Sequence, residues 1–179
     1  MVFDLGEIGG EGLGFKFRIN KDQFAINQED CSLNKNIEVG GSLSRVDNNV
    51  YLKGNVTTEL ILRCSRCLDQ LISPINSRLK AHFVPSDDDP SSLGEVELRS
   101  SDIDTEIYED KQIDLTQSIR DGILLTVPVM SLCMEDCKGI CPQCGINLNQ
   151  EVCECVSDPC VDPRLEVLKK LKNKLSKGG

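Results

Sequence analysis

The sequence has no tryptophan, only two tyrosines and five phenylalanines, and a single histidine, His82. So few rings require an aliphatic core, and they supply poor stacking platforms for single-stranded nucleic acid. One histidine excludes zinc hydrolase sites built on two or three imidazoles, and it leaves Ser–His–Asp chemistry with His82 as its sole base. No basic stretch followed by an apolar run stands at the start, MVFDLGEIGG, so a secretory signal is not expected. The longest apolar stretch, around Ile123 to Met130, is far short of the ~20 residues of a membrane span. These absences predict a soluble, cytoplasmic protein with no membrane partner.

Charge is present in excess of one sign. The net charge is −9, but residues 164–179 hold six basic groups and one acid, so the preceding 163 residues carry about −14. A body so acidic cannot hold RNA over a broad phosphate-neutralising surface; a local patch or the tail would have to do it. A basic protein partner suits the body better. The 179 residues are enough for one domain, or one domain and a small appendage, that buries about 70% of its unfolded surface.

Residues 1–14 hold five glycines and read as a flexible N-terminal segment. From Phe15 the apolar period is two. Phe15, Phe17 and Ile19 alternate, then Ile37, Val39, Gly41, Leu43 and Arg45. Asp47-Asn48-Asn49 supplies turn chemistry, and Val50, Leu52, Gly54, Val56, Thr58, Leu60 and Leu62 return, so a hairpin is expected. Gly40-Gly41 and Gly54 suggest bulges or strong bends. A third strand over Leu71 to Val84 is interrupted by Pro74. Residues 85–114, with eleven acids against two bases, read as an exposed loop with short strands at Gly94 to Leu98 and Ile103 to Tyr108. Asp114 can cap a helix, with Gln117 reciprocating and Leu115, Ile119, Ile123 and Thr126 on one stripe, and Pro128 stops it. A second helix is expected from Asp162-Pro163, with Leu165, Leu168, Leu171 and Leu175 on its apolar stripe. The fold class is therefore α+β: a curled, mainly antiparallel β-sheet followed by two helices bracketing a Cys-rich zinc loop. The divisions are 1–14, a β domain with its acidic loop over 15–113, and a helical, zinc-binding region over 114–179.

Ten cysteines in a reducing compartment point to metal ligands or redox thiols. Cys133, Cys137, Cys141, Cys144, Cys153 and Cys155 lie within one short segment, and Cys141-Pro-Gln-Cys144-Gly145 has the form of a zinc knuckle. Two residues between the thiolates let both reach one ion, and the glycine permits the turn that aims N–H groups at sulfur. A tetrahedral Zn(2+) needs two more thiolates, and the spacing leaves the choice among the other four open. Cys141 and Cys144 are the firmest. With no histidine nearby the shell is all sulfur, hence structural. Cys64-Ser65-Arg66-Cys67 is a second CxxC, at the end of a β run. It reads as a redox dithiol with its thiol pKa lowered by Arg63 and Arg66, as a tight turn, or as a pair that completes a metal site from elsewhere. Cys31 and Cys160 read as ordinary small residues.

The segments Cys64-Ser-Arg-Cys-Leu68, Lys138-Gly-Ile-Cys-Pro-Gln-Cys-Gly-Ile-Asn-Leu-Asn149, Cys153-Glu-Cys155 and Asp162-Pro-Arg164 together resemble the YceD family, the large ribosomal RNA subunit accumulation proteins. The resemblance implies a role in processing or accumulating large-subunit ribosomal RNA, with no catalytic activity to carry over. Its bacterial genes often neighbour that of a zinc-ribbon large-subunit ribosomal protein, and plant relatives act in plastids. Some relatives lack the C-terminal cysteines, which implies a metal that stabilises rather than reacts. Cys64 and Cys67 match the more widespread motif, which implies a recognition role near Cys64, Arg66 and Cys67.

The leading expectation is a non-enzymatic ribosome assembly factor that docks a basic ribosomal protein or a large-subunit precursor particle. Lys169, Lys170, Lys172 and Lys174 of the basic C-terminal helix are the candidate RNA contacts. The alternatives are a zinc-dependent RNA-binding module and a thiol redox switch at Cys64 and Cys67.

Overall fold

A computed structural model describes residues 1–26, 30–86 and 104–155. Among these residues the strands are β1 (Val2–Asp4), β2 (Leu13–Ile19), β3 (Cys31–Leu33), β4 (Ile37–Val46), β5 (Asn49–Arg63), β6 (Gln70–Pro85), β7 (Thr105–Tyr108) and β8 (Gln112–Asp114), and one α-helix, α1 (Thr116–Leu124), follows. The main sheet runs β2-β4-β5-β6-β7, with β3 also paired to β5, and β1 and β8 form a separate two-stranded ribbon. All these pairs are antiparallel except β6 with β7. The sheet stays open, since β2 and β7 each pair with one strand only among the described residues.

The period-two pattern sets the register. On β5 the alternate residues Val50, Leu52, Val56, Leu60 and Leu62 are buried, as are Val39 and Leu43 of β4, which pair with Val56 and Leu52, and Ile37, which pairs with Ile19 of β2. The hairpin turns at Asp47, whose φ of 55° is left-handed, which aspartate tolerates better than most residues. Of the bulges or strong bends expected at Gly40, Gly41 and Gly54, no bulge forms: the ladder runs unbroken through Gly40↔Asn55, Gly41↔Gly54 and Ser42↔Lys53. These glycines serve close approach instead. A Cβ on Gly41 would lie 2.5 Å from Lys53 O and 2.7 Å from Gly54 Cα. Pro74 sits inside β6 opposite Glu59, where β6 has no second neighbour among the described residues, so no ladder bond needs its missing N–H.

Helix α1 covers the inner face of the sheet. Leu115, Ile119 and Ile123, four apart, are fully buried against β5 and β6. Burying three such side chains contributes roughly 5–9 kcal/mol before entropy is counted. The Asp114 carboxylate accepts the Thr116 N–H at 3.0 Å, but Gln117 turns forward to Asp121 rather than back. The helix ends at Leu124, short of Pro128, and tightens through Thr126 and Val127 N–H bonds to the carbonyls three residues back. Thr126 is thus exposed rather than on the buried stripe.

The glycine-rich start is not a free lead-in. β1 pairs with β8, Leu5 and Ile8 are buried, and Phe3 packs 5.4 Å from the Phe15 ring. The apolar side chains of Phe3, Leu5 and Ile8 outweigh the glycines around them. The strand expected at Gly94 to Leu98 and the second helix from Asp162 lie outside the described residues.

Candidate metal centres

β5 ends at Arg63 and β6 begins at Gln70, and the turn between them carries Cys64 and Cys67. The Leu68 N–H bonds to Cys64 O at 3.0 Å, and the Cys64 N–H to Asp69 O at 2.8 Å, which fixes the turn across the strand ends. Against it lies the chain that follows α1. The Ser65 N–H donates to Ser131 O at 2.7 Å and the Ile140 N–H to Arg66 O at 3.2 Å, while Arg66 Nη1 donates to Cys137 O at 2.9 Å. These bonds place Cys133 and Cys137 beside the turn. Cys64, Cys67, Cys133 and Cys137 then form one set, with all four sulfurs within 4.8 Å of one another. Cys64 Sγ is 3.8 Å from Cys137 Sγ, and Cys67 Sγ is 3.5 Å from Cys133 Sγ.

The other four clustered cysteines form a second set. The Gly145 N–H bonds to Cys141 O at 2.9 Å and the Cys141 N–H to Ile146 O at 2.8 Å, closing a tight turn around Cys141 and Cys144. The chain returns through residues 147–150 so that Cys153 Sγ lies 3.3 Å from Cys141 Sγ and 3.5 Å from Cys144 Sγ. Cys155 completes this set, again with its four sulfurs within 4.8 Å.

The structure thus divides the six clustered cysteines, of which four are expected from spacing to share one ion. Cys133 and Cys137 stand with the distant Cys64 and Cys67, and Cys141, Cys144, Cys153 and Cys155 stand together. Of the readings open for Cys64 and Cys67, the geometry fits the pair that completes a metal site from elsewhere. Cys31 is buried and belongs to neither set. Cys160, Lys169, Lys170, Lys172 and Lys174 lie outside the described residues.

Both sets fit a tetrahedral ion. Four sulfurs at about 2.3 Å from a zinc centre stand about 3.8 Å from each other, and the separations above are 3.3–3.8 Å. Every cysteine in the sets is a free thiol. Backbone dipoles are aimed at the first sulfur of each turn. The Cys64 thiol is pulled down to about 6, chiefly by the Cys67 N–H and with help from Arg66 and Cys133 N–H groups, against the effect of burial. Cys141 is likewise pulled down to about 6 by the N–H groups of Cys144 and Gln143. Cys155 moves the other way, pushed up to about 12 by the sulfurs of Cys153 and Cys144. One thiolate forms readily in each set, its charge opposes the next, and a divalent cation removes that opposition.

The two sets differ in surroundings. Cys64, Cys67 and Cys137 are buried, whereas Cys144 and Cys155 are exposed. They are joined by three polar side chains that spacing did not single out. Asn149 Nδ2 donates to Cys137 Sγ at 3.3 Å, and its Oδ1 accepts the Lys138 N–H at 2.8 Å. Asn147 Nδ2 donates to the Asp69 carboxylate at 2.6 Å, and the Asp69 N–H in turn faces the Cys67 sulfur. The loop that carries the second set therefore also orients a ligand of the first. The signal was the Asn-Leu-Asn string after the knuckle, whose side chains reach back over the chain.

Comparison with known proteins gives a family. Residues 52–172 match the family described as large ribosomal RNA subunit accumulation protein YceD. The chain is similar to an uncharacterised protein of Mycobacterium tuberculosis, 31% identical over 134 residues that cover 75% of this chain and 59% of that protein. An uncharacterised Bacillus subtilis protein is 27% identical over 171 residues, covering 95% of this chain and 94% of that protein. A chloroplastic large ribosomal RNA subunit accumulation protein homologue of Arabidopsis thaliana is 28% identical over 139 residues, covering 66% of this chain and 43% of its own. The chain thus spans about three fifths of the length of the mycobacterial relative. No solved structure matches it.

Proposed function

The chain belongs to the YceD family of large ribosomal RNA subunit accumulation proteins, and from that premise we propose that it is a non-enzymatic factor in large-subunit ribosome assembly, held in shape by two structural zinc ions. The observation that carries this reading is that the family match, residues 52–172, contains all eight cysteines of the two sets. Four thiolates fill zinc's tetrahedral shell and leave no position for a reacting water, which suits a structural ion. Cys64, Cys67, Cys133 and Cys137 would hold one ion, and Cys141, Cys144, Cys153 and Cys155 the other. The first pins the β5–β6 turn to the chain after α1, so it joins the sheet to the C-terminal region.

The protein works in the cytoplasm, and its partner is a large-subunit precursor particle or a basic ribosomal protein. No helix among the described residues is long and apolar enough to cross a membrane. The redox alternative fits less well: Cys64 and Cys67 are buried, and each meets a sulfur from another segment. The test is sedimentation of tagged protein from growing cells at low salt. Co-migration with large-subunit precursors supports the reading. Migration as free protein at every stage of growth would refute it.

A further inference from the structure

The side of the sheet turned away from α1 carries a concentration of positive charge that the net charge of −9 conceals. Residues directly opposite one another in an antiparallel ladder share a face. The register places Lys53 opposite Lys80, Asn55 opposite Arg78, Lys16 opposite Gly40, and Arg18 opposite Glu38. Gly40 pairs in turn with Asn55, so these rows form one surface. Lys16, Arg18, Lys53, Arg78 and Lys80 are all exposed. With strands about 4.8 Å apart and same-face residues about 7 Å apart along each strand, the five cations fall within a square roughly 15 Å on a side. Glu38 is the one acid in these rows, and none of the five cations joins an ion pair among the described residues.

Lys53 opposite Lys80 is costly. Like charges directly across a ladder repel, and no acid stands between them to offset it. The next row toward the β4–β5 turn is Tyr51 opposite His82, whose rings stack in parallel, 4.5 Å apart and 1° from coplanar. Tyr51 remains 37% exposed. A sheet face that sets an exposed aromatic ring beside basic side chains and amides has the chemistry for a base and the phosphates next to it.

We propose that this face binds single-stranded RNA. Lys16, Arg18, Lys53, Arg78 and Lys80 would take phosphates, Tyr51 would stack on a base, and Asn55 and Asn76, the latter opposite Thr57 in the row of Glu38, would offer hydrogen bonds between them. The choice of RNA over another polyanion rests on the ribosomal reading above. The face supplies the local patch that an acidic chain needs to touch RNA, and none of the eight cysteines of the two thiol sets lies on it.

The test is fluorescence anisotropy of the full-length, zinc-loaded chain with an unstructured single-stranded RNA oligonucleotide, over a range of salt. Lys53→Gln with Lys80→Gln should weaken binding at least tenfold and flatten the log–log salt slope by about 1.4, at about 0.7 per lost phosphate contact. Thermal stability should hold or rise, because the repulsion is gone, and metal content should not change. Tyr51→Leu should weaken binding roughly tenfold with little change in slope. Equal binding by wild type and the double variant would overturn the proposal. So would loss of binding only when Lys169, Lys170, Lys172 and Lys174 are replaced, or equal capture of polyglutamate. A wild-type chain that sediments with precursors but binds no RNA refutes the surface and leaves the ribosomal reading standing. RNA binding that the double variant loses, without co-sedimentation, does the reverse.

Discussion

Leu68 and Gly145 hold the same place in two copies of one turn. Each follows the second cysteine of a CxxC, each has a left-handed backbone, with φ of 64° and 76°, and each donates its N–H to the carbonyl of the first cysteine, at 3.0 and 2.9 Å. Glycine adopts that conformation freely, whereas leucine holds it at a cost of about 1–2 kcal/mol. Leu68 is 55% exposed, so it recovers little of this by packing.

Leu68→Gly should therefore stabilise the protein by up to about 1 kcal/mol, after the extra freedom of glycine in the unfolded chain is subtracted. Gly145→Ala should destabilise the second turn and speed loss of its metal. Thermal unfolding and chelator-release rates check both. A lower melting temperature for Leu68→Gly would contradict the account of the turn.

Metal analysis of the purified chain should find two zinc ions. Cys64→Ser and Cys144→Ser should each remove one, but only Cys64→Ser should strongly lower the melting temperature, since its set links the sheet to the chain beyond α1. A chelator should strip the wild type in two phases. The fast phase belongs to the set with Cys144 and Cys155 exposed, and it should be missing from Cys144→Ser. A single phase releasing both ions would count against independent sites.

Asn149→Ala removes the donor to Cys137 Sγ and the acceptor for the Lys138 N–H without touching a ligand. Loss of such a supporting hydrogen bond typically costs about 10–100-fold in metal affinity. Competition with a chromophoric chelator should show that loss at the buried set, on which the Asn149 amide acts directly. Unchanged affinity there would confine Asn149 to shaping the loop.

Glu106 offers a pH test away from both thiol sets. Burial, aided by Asp121 and Asp114, pushes its carboxyl up, although the Ser118 hydroxyl donates to it and pulls the other way. A folded-state pKa above the unfolded one favours the protonated form. The contribution to stability is fully present below the unfolded pKa and is lost as pH rises through the folded value. Glu106→Gln is neutral at every pH and should melt higher than wild type near pH 7, with the gap closing as pH falls through the raised folded value and gone below about 4. A gap that widens on acidification would reverse the sign and reject this account.

Much of the β half was legible because burial alternates with the pleat. Val50 to Leu62 gave the inner face of β5, and Asp47 the turn. The glycines were harder to interpret. Composition suggested bulges at Gly41 and Gly54 and a loose N-terminus, where packing against Gly54 and the burial of Leu5 and Ile8 decided otherwise. At the candidate site, local spacing identified Cys141 and Cys144, since a knuckle is a short-range object. It could not show that Cys133 and Cys137 face Cys64 and Cys67, because that pairing is made by β5, β6 and α1 bringing remote segments together. The parallel docking of β7 on β6 was hidden for the same reason.

The buried thiol set also has a timetable. Cys64 and Cys137 are 73 positions apart, and at roughly 5–20 residues per second a ribosome needs about 4–15 seconds to travel from one to the other. Throughout that interval the nascent chain presents half a ligand shell, able to hold an ion loosely or to be oxidised. Maturation of this protein therefore has a late checkpoint, passed only when the second pair of sulfurs has left the exit tunnel.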